Sequence, residues 1–259
     1  MTEHSLADKV GLVVGVANKR SISWAIASAA AALGARIVLT HQNARLEENV
    51  RDLAASLTDP LILPCDVTND AEMDALFAAI QAERGRLDFV VHGAAFAHRE
   101  DLEKRFVETS REGFRTALDV SAYSLVALAR RAAPLLEQQG GGSILTLSYL
   151  GADRVFTNYN VMGVAKAALE ASVRYLASDL GPKNIRVNAI SAGPIKTLAA
   201  SGISGFSSIL QTYRDRAPLR RTVETSEVAD AACFLLGPAG RAITGEVMLV
   251  DGGYHVMGA

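Results

Sequence analysis

Residues 149–166, YLGADRVFTNYNVMGVAK, hold two phenols and one amine whose types and spacing suit acid catalysis. Tyr159 and Lys166 are seven positions apart. On one helix they would lie within about 20° of the same face and ~10.5 Å apart along its axis. A phenol beside an ammonium on one wall of a cleft is a proton donor tuned by a positive charge. Tyr149, at the end of an apolar run, is a second donor or a wall of the cleft.

The elements that must position this wall are legible in the apolar pattern. Short β-branched runs at 10–16, 36–40, 61–65, 87–92, 142–148, 185–190 and 246–250 alternate with helical patterns near 22–33, 44–57, 70–84, 113–138, 159–180 and 225–236. Strands that are almost wholly apolar and separated by helices predict a parallel sheet covered on both faces. The expectation is a single doubly wound α/β domain over 1–259, with seven strands. Residues 193–217 break the alternation, being rich in small residues and weakly periodic. They follow a strand at the carboxyl edge, where open α/β sheets bind ligands. They are a substrate flap or an ordinary surface excursion.

Gly15 closes the first run, and Ser21 and Ile22 open the helix after it. A glycine there lets the backbone approach a pyrophosphate, and the helix's first amides and dipole favour phosphates. The run GVANKRSISWAIA is not G-x-G-x-x-G, and a plain strand–helix turn would look similar. The second strand ends LTHQN, with no acid for the ribose hydroxyls, leaving Gln42 to meet the adenosine. No Lys or Arg follows directly to hold a 2′-phosphate, so the pattern favours NADH over NADPH. Asp66 and Val67 are placed to frame adenine, although Asp66 is equally suited to a turn.

Composition narrows the function classes. The 259 residues are 49% hydrophobic and 21% charged, with a formal net charge of −2, which gives no support for a nucleic-acid partner. Cys65 and Cys233 belong to no metal-spaced cluster, and the reading is of two buried thiols in a reducing compartment. MTEHSLADKV lacks the basic and apolar regions of a secretory signal, and no apolar run reaches membrane-span length. The expectation is a cytoplasmic protein without a membrane or a metal.

With LTLSYLGADRVFTNYNVMGVAKAALE and RVNAISAGPIKTLAASGI in view, the chain resembles the short-chain dehydrogenase superfamily. Within it, the chain is similar to the bacterial FabI-type enoyl-acyl-carrier-protein reductases of fatty-acid biosynthesis. The likeness runs from GVANKRSISWAIA through CDVTND, REGFRTALDVSAYS and RRTV to SEVADAACFLL and GEVMLVDGGY. It implies a Rossmann domain, a homotetramer, and NADH-linked reduction of an enoyl thioester carried by acyl carrier protein, or by coenzyme A. It also implies that Lys166 binds the nicotinamide ribose, that Ala94, Ile195, Thr197 and Leu198 contact the cofactor, and that Ala97, Met162 and Phe206 line the acyl site with Tyr149 and Tyr159.

Spacing adds an argument of its own. Short-chain dehydrogenases place Ser, then Tyr thirteen residues on, then Lys four further; here those slots hold Tyr149, Met162 and Lys166, and the phenol stands at Tyr159. A carbonyl reductase delivers hydride and proton to one C=O. An enoyl thioester takes hydride at Cβ while charge gathers on an oxygen two carbons away, so its donor must be displaced. Met162 cannot donate a proton, which disfavours the alternative, a carbonyl reductase or 3-hydroxyacyl dehydrogenase. HGAAFAH departs from the His-Ser-Ile-Gly-Phe-Ala common in relatives, Ala95 narrowing the nicotinamide pocket by a methyl. Phe206 and Ile209 read as an acyl-facing surface or as packing. Arg214, Arg216, Arg220 and Arg221 read as a carrier-docking patch or as structural ion pairs.

Overall fold

The computed structural model describes residues 5–198, 200 and 204–258. Seven strands, β1 (Val10–Val14), β2 (Arg36–His41), β3 (Leu61–Pro64), β4 (Phe89–His92), β5 (Gly142–Ser148), β6 (Ile185–Ala192) and β7 (Val247–Val250), form one parallel sheet in the order β3-β2-β1-β4-β5-β6-β7. The order reverses between β1 and β4, the switch point at which doubly wound sheets open a crevice.

Alternate residues of each strand serve opposite layers. Leu12, Val90, Ile144 and Val187 face α3 (Asp70–Arg84), α6 (Ser124–Gln138) and α7 (Asn160–Leu180). Val13, Val91, Leu145 and Ile190 face α1 (Ile22–Ala32), α2 (Ala44–Ala54) and α9 (Thr225–Leu236). All eight are fully buried, each worth roughly 1.5–3 kcal/mol of transfer free energy. At the sheet's amino edge Asp88 accepts from Lys9 at 3.1 Å, from Arg86 at 2.9 and 2.7 Å, and from the Val10 amide at 2.8 Å. Burial opposes its charge, and these donors hold its carboxyl below the usual range.

Some elements differ from the sequence expectation. The single helix expected over 113–138 is α5 (Arg111–Leu118), a π turn at Asp119–Tyr123, and then α6. The π turn lets the Ser121 hydroxyl bind both the amide and the carbonyl of Phe96, at 3.0 and 3.2 Å, fixing the loop after β4. A short helix, α4 (Arg99–Glu103), follows that loop, and a regular helix, α8 (Phe206–Arg216), occupies the segment read as weakly periodic. Only Leu210 and Tyr213 of α8 are buried, so its apolar stripe is too narrow to show in sequence.

Candidate active site

The wall of the cleft is built by the end of β5 and the start of α7. Tyr159 caps α7 rather than lying on it, and Asn160 turns with φ +37°. The one-helix relation between Tyr159 and Lys166 is thereby corrected: the bend lifts Tyr159 off the helical path, while Met162 donates to its carbonyl at 3.0 Å. Its ring packs with Leu102, Ala117, Val161, Met162 and Ala165, with Ala97, Tyr149 and Phe156 against the same cluster. Close packing is enforced at Gly151, where an added Cβ would stand 2.5 Å from two Tyr159 ring carbons. Tyr149 meets Tyr159 edge-on at 5.1 Å between centroids and Phe156 at 5.0 Å. The structure thus brings Tyr149, Tyr159, Met162 and Ala97 together, with Met162 buried at the base of the cluster.

Lys166 is 7% exposed and donates to the Leu147 carbonyl at 2.7 Å. Burial lowers its ammonium to about 8, against an opposing pull from Glu170. Burial raises the Tyr159 phenol well above its ordinary value, so it stands protonated. Below this pair His92 is pinned between Thr146 at 2.7 Å and Ser124 at 2.8 Å, and burial lowers it to about 3. It is neutral at physiological pH, so Lys166 is the cation of the wall.

At the other end of the cleft β1 stops at Gly15, with φ +94°, a conformation that side chains strain to adopt. An added Cβ would also lie 2.5 Å from the Gly93 carbonyl. The Ser21 hydroxyl accepts from the Ala17 and Asn18 amides at 3.0 and 3.1 Å, pointing back into the turn. It therefore caps no amide of α1, whereas Asn43, Asn69 and Ser110 cap α2, α3 and α5. The first turn of α1, which begins at Ile22, carries no acid. Amides left uncapped beside a close backbone approach fit an anionic pyrophosphate. Gln42 donates to Asp66 at 3.2 Å, joining two of the three residues expected at the adenosine. Asp66 also accepts from the Thr68 amide at 2.9 Å and its hydroxyl at 2.7 Å, so the turn reading is realised as well. Val67 packs in the core, with Ala94 partly buried against it.

The segment read as a flap follows β6. Ile195 packs partly buried, Thr197 accepts from the Ala200 amide at 3.1 Å, and Leu198 is half exposed. Residues 199 and 201–203 of the expected flap lie outside the described residues. Phe206 opens α8, partly buried. A cavity of about 420 Å³ separates α8 from residues 154–158, lined by Phe156, Ser208, Ile209, Thr212, Tyr213 and Tyr254. Tyr213 is 1% exposed and stacks on Tyr254 at 3.9 Å and 19°. The Tyr149 and Tyr213 hydroxyls are both buried and approach each other without forming a well-aligned hydrogen bond. Burial raises both phenols, and each further perturbs the other. Of the four arginines beyond the flap, Arg221 is paired with Glu227 at 2.8 and 2.5 Å, while Arg214, Arg216 and Arg220 are exposed.

Comparison with known proteins places this geometry. A family model described as enoyl-(acyl carrier protein) reductase matches residues 15–255. The chain belongs to the enoyl-acyl-carrier-protein reductase family. The enoyl-(acyl-carrier-protein) reductase (NADH) FabI of Bacillus cereus is 54% identical over 255 residues, covering 98% of this chain and 99% of that protein. The crystal structure of the B. cereus enzyme with NADP+ and indole naphthyridinone superposes with a TM-score of 0.96 at 54% identity, over 98% of this chain and 99% of that one. The Anaplasma phagocytophilum reductase in complex with NAD gives 0.94 at 49% identity, over 98% and 96%.

Within this reductase fold, three residues escape a reading of the sequence. Ser148 and Glu170 meet across β5 and α7 at 2.5 Å, and Glu170 was detectable only as an acid one helical turn beyond Lys166. Tyr213 carried no local signal, since its partners Tyr149 and Tyr254 are remote in sequence.

Proposed function

We propose that this chain is an NADH-dependent enoyl-acyl-carrier-protein reductase in which Tyr159 and Lys166 carry the polar half of the reaction. The carrying observation is the donor's position. A buried, protonated phenol stands at the bend before α7, and the slot four residues before Lys166 holds the buried Met162. When bound, the nicotinamide supplies the hydride that reaches Cβ of the enoyl thioester. Ser21, Ile22 and Gly15 would hold its pyrophosphate, Gln42, Asp66 and Val67 its adenosine, and Lys166 its ribose, with Ala94, Ile195, Thr197 and Leu198 around the nicotinamide ring.

Tyr159 donates to the thioester oxygen as negative charge develops there, acting as an oxyanion donor. Lys166 favours that charge from one side, and burial strengthens both interactions. Tyr149 flanks the same oxygen as a second donor or wall, and Ala97, Met162 and Phe206 shape the acyl site. Residues 193–217 form the flap over it. Carriage of the acyl group by coenzyme A is a variant of the same reading.

The assembly is a homotetramer. Support comes from apolar side chains that a lone chain leaves in water: Phe114 on α5, Val164 and Tyr175 on α7, and Leu249 on the edge strand β7. The place of action is the cytoplasm, supported by two buried free thiols and by the lack, among the described residues, of a helix long and apolar enough to cross a membrane.

NADH oxidation with crotonyl or longer enoyl thioesters, set against the matching 3-ketoacyl thioesters, tests the reaction. Turnover of the enoyl substrates is expected, and turnover of the keto substrates alone would reassign the chain to carbonyl reduction. Tyr159→Phe should lower kcat by about 10²–10³-fold, the usual loss of one oxyanion donor. Full activity in that variant would remove Tyr159 from its role.

A further inference from the structure

Glu170 takes part in none of the steps above, yet it is built into the same wall. It lies one turn beyond Lys166 on α7. Ser148, the last residue of β5 and 6% exposed, donates to its Oε1 at 2.5 Å. The preceding residue, Leu147, supplies the carbonyl that accepts from Lys166 Nζ at 2.7 Å. Ammonium and carboxyl are therefore fastened to consecutive residues at one strand end, and neither can swing without breaking a hydrogen bond to β5.

This arrangement has an electrostatic consequence. Burial strips solvent from Lys166 and lowers it to about 8, while Glu170 is the group that pulls it back up. Burial also raises the Glu170 carboxyl, with Ser148, Arg174 and Lys166 opposing and Asp153 adding to the rise. The other titratable neighbours of the pair are Tyr159, which burial, Tyr149 and Glu170 keep protonated, and His92, which burial and Lys166 keep neutral. Glu170 is thus the one acid on the wall whose charge acts on both Lys166 and Tyr159.

We propose that Glu170 is a positioning residue for the reduction: held by Ser148, its carboxylate keeps the Lys166 ammonium charged and in place beside Tyr159. The proposal rests on Lys166 and Tyr159 acting in the reduction. The competing view is a carboxylate that merely ties α7 to β5. A tie of that kind would affect stability and rate equally at every pH.

The decisive measurement is kcat/KM against pH from 5.5 to 9 for the full chain and for Glu170→Gln, which keeps an acceptor for Ser148 and removes the charge. In the parent, activity should fall as pH rises through the Lys166 value near 8. In Glu170→Gln that basic limb should move down by about one pH unit. The loss would then approach about tenfold at pH 9, be about fivefold at pH 8 and stay under about twofold at pH 6, since one unit is tenfold in proton affinity. NADH binding, followed by its fluorescence, should weaken over the same interval.

Ser148→Ala, which leaves the charge but frees it, should give a smaller shift of the same sign and add little to Glu170→Gln. It decides the matter if Glu170→Gln fails to fold. A pH-independent loss, or an unmoved basic limb in either folded variant, overturns the proposal. A parent limb unchanged by Lys166→Met would instead overturn the reading of Lys166, a separate result.

Discussion

The end of β5 with the start of α7, proposed as the catalytic wall, and α8, proposed as part of the flap, are built on opposite terms. On the wall most polar groups are tied down, Lys166 to Leu147, Ser148 to Glu170 and His92 between Thr146 and Ser124, the Tyr149 hydroxyl being the exception. On the flap side, α8 is preceded by Gly205 with φ +77° and touches the core only through Leu210 and Tyr213. Regular elements with satisfied polar groups hold a geometry well, while segments with few buried contacts open at low free-energy cost. The difference divides the labour. In the proposed reaction the wall fixes where the donor and cation stand, and the flap governs what comes to rest against them.

The sharpest way to break this division is at Lys166. Lys166→Met keeps an apolar stem of similar length and removes the buried charge held at the end of β5. A fall in kcat/KM of about 10²-fold or more is expected, at the lower end of what positioned acid–base groups contribute. Steady-state assay at saturating NADH measures it. A loss under about fivefold would mean that the chemistry is not anchored on the wall.

A steric test of the same wall should act less strongly. Gly151→Ala would set a methyl 2.5 Å from Tyr159 Cδ1 and Cε1 and 3.1 Å from a Tyr149 ring carbon. Tyr159 is 8% exposed and boxed by Met162, Leu102 and Ala117, so its ring has no open space to enter. The expected cost is about 1–3 kcal/mol of stability from overpacking, read by denaturant midpoint. With it should come about a tenfold fall in kcat as the phenol is displaced. Parent-like kcat with normal stability would show that the ring position matters less than the packing implies.

The contrast between wall and flap also explains what could be read from the sequence. Core strands such as Val10–Val14 and Gly142–Ser148 announce themselves because both faces are buried and every residue is apolar or small. Tyr149 and Tyr159 were legible as neighbours because they flank a short turn between β5 and α7, where their rings meet. The bend at Asn160 was not, because Asn tolerates positive φ without requiring it. Ser148 and Glu170 are 22 residues apart on different elements, so only the sheet–helix packing reveals their bond. Helix α8 escaped because its buried stripe is two residues wide, and Tyr213 because its neighbours come from β5 and the C-terminal segment.

Tyr213 also provides the mildest test, and one that sharpens the comparison. Tyr213→Phe keeps the ring stacked on Tyr254 and removes a buried hydroxyl that meets the Tyr149 hydroxyl without a well-aligned hydrogen bond. Deleting an unsatisfied polar group is close to neutral or stabilising, by up to about 1–3 kcal/mol, so the thermal midpoint should hold or rise. Because Tyr213 is on the flap side, kcat should change by less than about twofold. KM for the enoyl thioester should shift by about two- to fivefold, the range of a single modest contact. A large fall in kcat with KM unchanged would place Tyr213 on the chemical side of the cleft, through the Tyr149 hydroxyl it perturbs. The boundary between fixed wall and adaptable flap would then run through α8 itself.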